Sequence, residues 1–130
     1  MIIDSSAIVA ILGSEAEADD LENSLLDAPI RRISAVTYVE TSIVVDALGD
    51  VVLSRRLDEF LRETEINIEA VTLDQARLAR EAYRDFGKGR HRAGLNLGDC
   101  FAYALAKDKA EPLLFKGNDF RKTDVEPAEY

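Results

Sequence analysis

The chain reads as an α/β protein, a three-layer α/β/α domain built on a mainly parallel sheet of four or five strands. Three observations predict this. Short β-branched or apolar runs bounded by turn residues alternate with longer stretches at helical spacing. One or two helices separate successive runs, which implies βαβ units and a sheet covered on both faces. The opening Met1-Ile2-Ile3-Asp4-Ser5-Ser6-Ala7 reads as a short buried strand that turns directly into a helix. The 130 residues fit one domain, residues 1–130, with a substantial core.

Taken in order, Ala7 to Leu12 continues as a short helix stopped by Gly13. Ser14-Glu15 opens a second helix with Ala18, Leu21 and Leu25 at helical spacing, and Pro29 ends that unit. Ile30 to Ser34 is a second strand, and Ala35 to Leu48 a nearly all-apolar helix ended by Gly49. Asp50 to Glu65 is amphipathic, with a stripe at Leu53, Leu57, Phe60 and Leu61. Ile66 to Val71 alternates as a third strand. Thr72 caps a helix that carries Ala76, Ala79, Ala82 and Tyr83 and ends at Phe86-Gly87. A Gly- and Arg-rich loop from Lys88 to Leu95 leads into an apolar helix from about Leu97 to Lys107. Pro112 to Phe115 is a fourth strand, Gly117 to Arg121 a turn, and Thr123 to Val125 a short edge strand.

Composition narrows the function. Hydrophobic content of 47% with 32% charged residues is that of a globular chain. No apolar run approaches a membrane span and no signal peptide is visible, so no membrane partner is expected. Cys100, the single cysteine, cannot form an internal disulfide and lies in an apolar helix, which suits core packing and a cytoplasmic setting. A net charge of −9 argues against a general nucleic-acid coat but leaves room for a local basic patch.

The sharpest signal is missing charge. At 32% charged, a 14-residue stretch should hold about four charged residues, yet Met1 to Ser14 holds only Asp4 and Ala93 to Ala106 only Asp99. Ile33 to Val45 holds only Glu40, which interrupts a helical stripe of Val36, Ile43 and Ala47 and is expected to point toward the core. Asp4 suits either a ligand site at a strand's carboxyl end or a helix cap. Asp99 sits in Asn96-Leu97-Gly98-Asp99, which also fits a capping box. Asp119 follows the Leu113-Leu114-Phe115 strand, where surface exposure is an equal explanation. If the four converge, carboxylates without nearby His or Cys select Mg²⁺, with Mn²⁺ as a substitute, and two such ions suit phosphodiester chemistry. Ser6 can orient a ligand or cap its helix, and His91, inside the basic loop, is a poor ligand candidate.

Asp4-Ser5-Ser6-Ala7 after an apolar strand, Tyr38-Val39-Glu40-Thr41, and Gly94-Leu95-Asn96-Leu97-Gly98-Asp99-Cys100-Phe101-Ala102 together resemble the PIN-domain ribonucleases. Phe86-Gly87-Lys88-Gly89-Arg90-His91-Arg92 and Leu113-Leu114-Phe115-Lys116-Gly117 look more narrowly like the VapC toxins of type II toxin–antitoxin modules. The resemblance implies a metal-dependent endoribonuclease that cuts cellular RNA and halts translation, a homodimer, and neutralisation by a VapB-type antitoxin. It places the family's acids on Asp4, Glu40, Asp99 and Asp119. Asp4 and Asp99 are then expected to hold the principal Mg²⁺, Glu40 and Asp119 to complete the site, and Asn118 to support it. Lys88, Arg90, Arg92 and Lys116, with Arg84, Arg121 and Lys122 near them, are expected to position RNA phosphates. Two other readings compete: a non-catalytic acidic module that receives a partner's arginines, and a different Mg²⁺ phosphotransfer enzyme such as a phosphatase or receiver. A receiver needs paired acids near the first strand, and only Asp4 lies there.

Overall fold

The computed structural model describes residues 1–130. Four parallel strands, β1 (Ile2–Ile3), β2 (Arg31–Ser34), β3 (Ile66–Glu69) and β4 (Leu113–Leu114), form one sheet in the order β3-β2-β1-β4. Helices α1 (Ser5–Leu12) and α2 (Ala18–Asp27) connect the first two strands, and α3 (Ala35–Ala47) and α4 (Val51–Glu63) the next two. Helices α5 (Leu73–Phe86) and α6 (Leu97–Lys109) carry the chain back across to β4, on the other side of β1. The direction of winding therefore reverses between β1 and β4, the place where an open parallel sheet leaves a crevice beyond its strand ends.

Because successive strand residues face opposite ways, the core divides in two. Ile3, Ile33 and Leu114 pack with α1, α2 and α4, while Ile2, Leu113 and Phe115 pack with α5 and α6. A one-residue slip of β1 would exchange these sets, so the two-residue strand has a well-specified register. Arg31 fastens the first layer from outside. Its guanidinium donates to the carbonyls of Leu25, Leu26 and Thr64 at 2.6–2.8 Å, satisfying acceptors at the ends of both α2 and α4.

Several predicted elements shift. The second helix starts at Ala18, since Ser14 adopts φ 51° and leaves the helical region. Strand β3 does not alternate as expected: it is an edge strand with only Ile66 buried, and Ile68 is exposed. Thr123 to Val125 is not a strand, and the outer side of β4 is met instead by a single parallel bridge from Leu113 to Pro127. On α5 the buried positions are Gln75, Ala79 and Ala82, with Ala76 and Tyr83 turned outward. Gln75 donates to Asp108 on α6 at 2.9 Å, which fixes the rotation of the helix. No helix is long and apolar enough to cross a membrane.

Replacing Arg31 with Met keeps the apolar stem but removes the side-chain donor from three carbonyls, of which only Leu25 keeps a backbone donor, the Ala28 amide. Denaturant titration should show a loss of about 1–3 kcal/mol with an unchanged slope.

Candidate active site

Each acid is placed by a different element. Asp4 ends β1 and caps α1; it is 2% exposed. Its Oδ2 accepts the Ser6 hydroxyl at 2.6 Å and the Ser6 amide at 3.0 Å. Ser6 Oγ in turn accepts the Lys116 amide just past β4 at 3.0 Å, so Ser6 ties the two strand ends across the switch point. Asp4 Oδ1 is buried and has no hydrogen-bond partner. An orphaned buried carboxylate oxygen is costly unless a ligand supplies the missing charge.

Glu40, in the second turn of α3, does not point into the core. The buried stripe of α3 is Thr37, Thr41 and Val45, whereas Ile43 and Ala47 of the expected inner stripe are exposed. Val39, Val44 and Leu48 are exposed as well, so Glu40 stands at the margin of an apolar face, not inside one. Its Oε1 accepts the Ser5 hydroxyl at 2.7 Å. Its carboxylate also lies against the α6 backbone at Gly98, where an added Cβ would overlap Oε2. Ser5 and Gly98 were not anticipated. A glycine inside the first turn of a helix, with its cost of about 1 kcal/mol relative to Ala, was the available signal.

Asp99 forms the expected capping box. The Asn96 amide donates to Asp99 Oδ2 at 2.9 Å, and the Asp99 amide donates to Asn96 Oδ1 at 2.8 Å. The cap and the candidate ligand are therefore the same residue, with one carboxylate oxygen outside the box. Burial is the main force lifting the Asp99 carboxyl, to about 7; the Asn96 amide opposes it, and the charges of Asp4, Glu40 and Asp119 each add to it. All four acids thus share one electrostatic neighbourhood. Burial also raises Asp4, against the Ser6 bonds, and Glu40 raises it further. Asp119 begins the turn Phe120–Lys122, is exposed, and lies 3.4 Å from Lys122 Nζ. Asn118 beside it is exposed.

An all-oxygen donor set with an orphaned buried Oδ1 suits a hard divalent cation. As they stand, no three acids are close enough to enclose an ion. Glu40 and Asp99 are each held by a local donor through one oxygen, and mutual repulsion opposes closer approach. His91 lies apart: its Nδ1 accepts the Ala93 amide at 3.0 Å and its ring packs on Phe86. Cys100 is buried, which pushes its thiol up to about 11 and keeps it protonated.

The cations divide. Lys116, expected to position RNA, is held by Glu15 and Glu17, the latter at 3.0 Å, so part of its charge is balanced locally. Lys88 and Arg90 line a groove beside Asn96, while Arg92 stands outside it.

A family model described as PIN domain matches residues 1–126. The chain belongs to the PIN-domain family. Within it, the chain is 55% identical over 129 residues to the Ribonuclease VapC28 of Mycobacterium tuberculosis, covering 98% of this chain and 97% of that one. It is 53% identical to a Ribonuclease VapC of Mycolicibacterium smegmatis, covering 96% and 97%. This PIN domain superposes on the crystal structure of Mycobacterium tuberculosis VapC20, a Sarcin-Ricin loop cleaving toxin, with a TM-score of 0.74 at 17% identity, covering 97% and 98%. A toxin–antitoxin complex from Klebsiella pneumoniae gives 0.72 at 20% identity, covering 99% and 98%.

The raised Asp99 value has a consequence for the metal-free protein. Its folded-state value exceeds the ordinary 3.8, so the stability it contributes is complete below about pH 4 and is lost as pH rises through about 7. Melting temperatures measured in chelator should show this fall, and Asp99→Asn, which can still accept the Asn96 amide, should flatten it.

Proposed function

We propose that the chain is a metal-dependent endoribonuclease toxin of the VapC type. It cleaves cellular RNA in the cytoplasm and is neutralised by a cognate VapB-type antitoxin. One observation carries the reading: Glu40 bonds Ser5, the neighbour of Asp4, and lies against Gly98, the neighbour of Asp99, so acids from three segments meet at the switch point beside a buried carboxylate oxygen that has no partner. The full-length relatives named VapC ribonucleases support it.

In this reading Asp4, through Oδ1, and Asp99, through the oxygen outside its capping box, hold Mg²⁺, for which Mn²⁺ substitutes. Glu40 and Asp119 complete the site, and Asn118 adds a neutral oxygen beside it. When bound, the cation offsets charge developing on the phosphate and acidifies the attacking water. The protein's own part is positioning. Ser6 locks the Asp4 rotamer, Ser5 and the missing side chain of Gly98 seat Glu40, and the Asn96 box holds Asp99 at the mouth of α6. The same acids repel a phosphodiester, so RNA must be held by cations at the rim. The exposed face of Val39, Ile43, Val44 and Leu48, continued by Val51 and Val52, supports a homodimer.

Purified chain incubated with total RNA should produce new ends with Mg²⁺ or Mn²⁺ and none with chelator. Asp4→Asn and Asp99→Asn should fall to background, and Ser6→Ala should lose about 10–100-fold. Wild-type cleavage by both Asn variants, or cleavage in chelator, overturns the assignment of these acids; no cleavage under any condition leaves the non-catalytic acidic binding module. Gly98→Ala separates site from fold. Alanine favours the helix by about 1 kcal/mol, yet its Cβ displaces the Glu40 carboxylate, so circular dichroism should persist while cleavage is lost.

A further inference from the structure

Beside the acid cluster, a groove of about 880 Å³ runs between α5 and the start of α6. Arg80 and Arg84 from α5 and Lys88 and Arg90 from the following loop form its polar rim, and no acid lines it. In a chain of net charge −9 such a concentration requires explanation. Lys116, Lys107 and Arg32 all meet carboxylates, and Arg31 is taken up by three carbonyls. The four groove cations are exposed, are in no ion pair, and donate no side-chain hydrogen bond within the chain. Arg80 and Arg84, about one turn apart on α5, both line the groove, whereas Glu81 and Asp85 of the same helix do not.

The floor is apolar and includes Tyr83, 42% exposed, and Leu97, 71% exposed. The Arg90 guanidinium lies 5.7 Å from the centre of the Tyr83 ring. A phenol ring with a guanidinium plane beside it, ringed by unpaired cations, offers stacking surface and phosphate contacts together. The groove reaches Asn96 and Leu97, in the turn that presents Asp99, so a strand lying in it leads directly to the acids.

We infer that this groove is the seat of a single-stranded segment of the RNA substrate, with Tyr83 as the platform for one base and Arg80, Arg84, Lys88 and Arg90 as phosphate contacts. The identity of the ligand rests on the ribonuclease reading above. The consequence is a specificity-determining position, Tyr83, that requires an unpaired nucleotide next to the scissile bond. Arg92 and Lys116, outside the groove, contribute little.

The test uses the full chain carrying Asp4→Asn, so that RNA is bound but not cut, in Mg²⁺. Anisotropy of a short fluorescein-labelled single-stranded oligoribonucleotide of mixed sequence reports affinity across a salt series. Tyr83→Ala should weaken binding about tenfold, and Tyr83→Phe should leave it unchanged. Arg84→Glu with Lys88→Glu should weaken it further and reduce the salt slope by about 0.7 for each phosphate no longer neutralised. Arg55→Glu with Arg56→Glu on α4 makes the same charge change on an exposed surface outside the groove and should do neither. Groove variants that bind RNA like the parent, or a control pair that weakens binding as much as the groove pair, overturn the proposal. Weakening confined to the groove variants upholds it even if the wild-type chain cuts no RNA, an outcome that would instead remove the nuclease reading.

Discussion

The site depends on a single buried carboxylate. Asp4 stands where β1 stops, and its Oδ2 is fully engaged by Ser6 while Oδ1 is left without a partner. Ser6 is also the acceptor for the Lys116 amide, two residues past β4, so one hydroxyl aligns the two strand ends that flank the reversal of winding. A carboxylate this deeply buried would ordinarily be satisfied by nearby donors. Here one oxygen has no donor, and the charges acting on Asp4 from nearby are those of acids.

That arrangement explains why Glu40 and Asp99 are each anchored by a neutral donor, whereas the exposed Asp119 meets Lys122. Ser5 holds Glu40, and the Asn96 amide holds Asp99, each through one oxygen. Neutral donors fix direction without cancelling charge, so the negative field survives for a cation to balance. Lys116, which follows β4 beside Asp4, would cancel it if it turned inward. Glu15 and Glu17 hold it away. The groove cations lie on the α5 side, next to the turn that carries Asp99, and no acid lines their groove.

Much of this was legible in the residue order. Asp4 and Asp99 stood out because charge is absent around them, and both play the capping role that the local sequence also allowed. Capping leaves room for ligation, since a carboxylate has two oxygens and the cap uses one. Glu40 stood out for the wrong reason. Its spacing with Val36, Ile43 and Ala47 describes a helical stripe correctly, but spacing does not say which stripe faces the core. On α3 the inner stripe is Thr37, Thr41 and Val45, with the Thr41 hydroxyl satisfied by the Thr37 carbonyl. A similar ambiguity hid the exposure of Ile68, because an edge strand and a central one alternate alike.

Residue order alone therefore determined the α/β class, the parallel strands with their helical crossovers, and the acids worth watching. Those properties follow from periodicity, caps and local charge, which are short-range. Tertiary structure alone decided that Ser6 bridges two strands, that Gly98 makes room for Glu40, and that Lys116 is already occupied. It also decided which side of α5 faces the site. Each of these joins residues far apart along the chain, Ser6 to Lys116 and Glu40 to Gly98 among them, and depends on side-chain direction and close approach. Pattern along the chain holds no information on either until the sheet and its helices have packed.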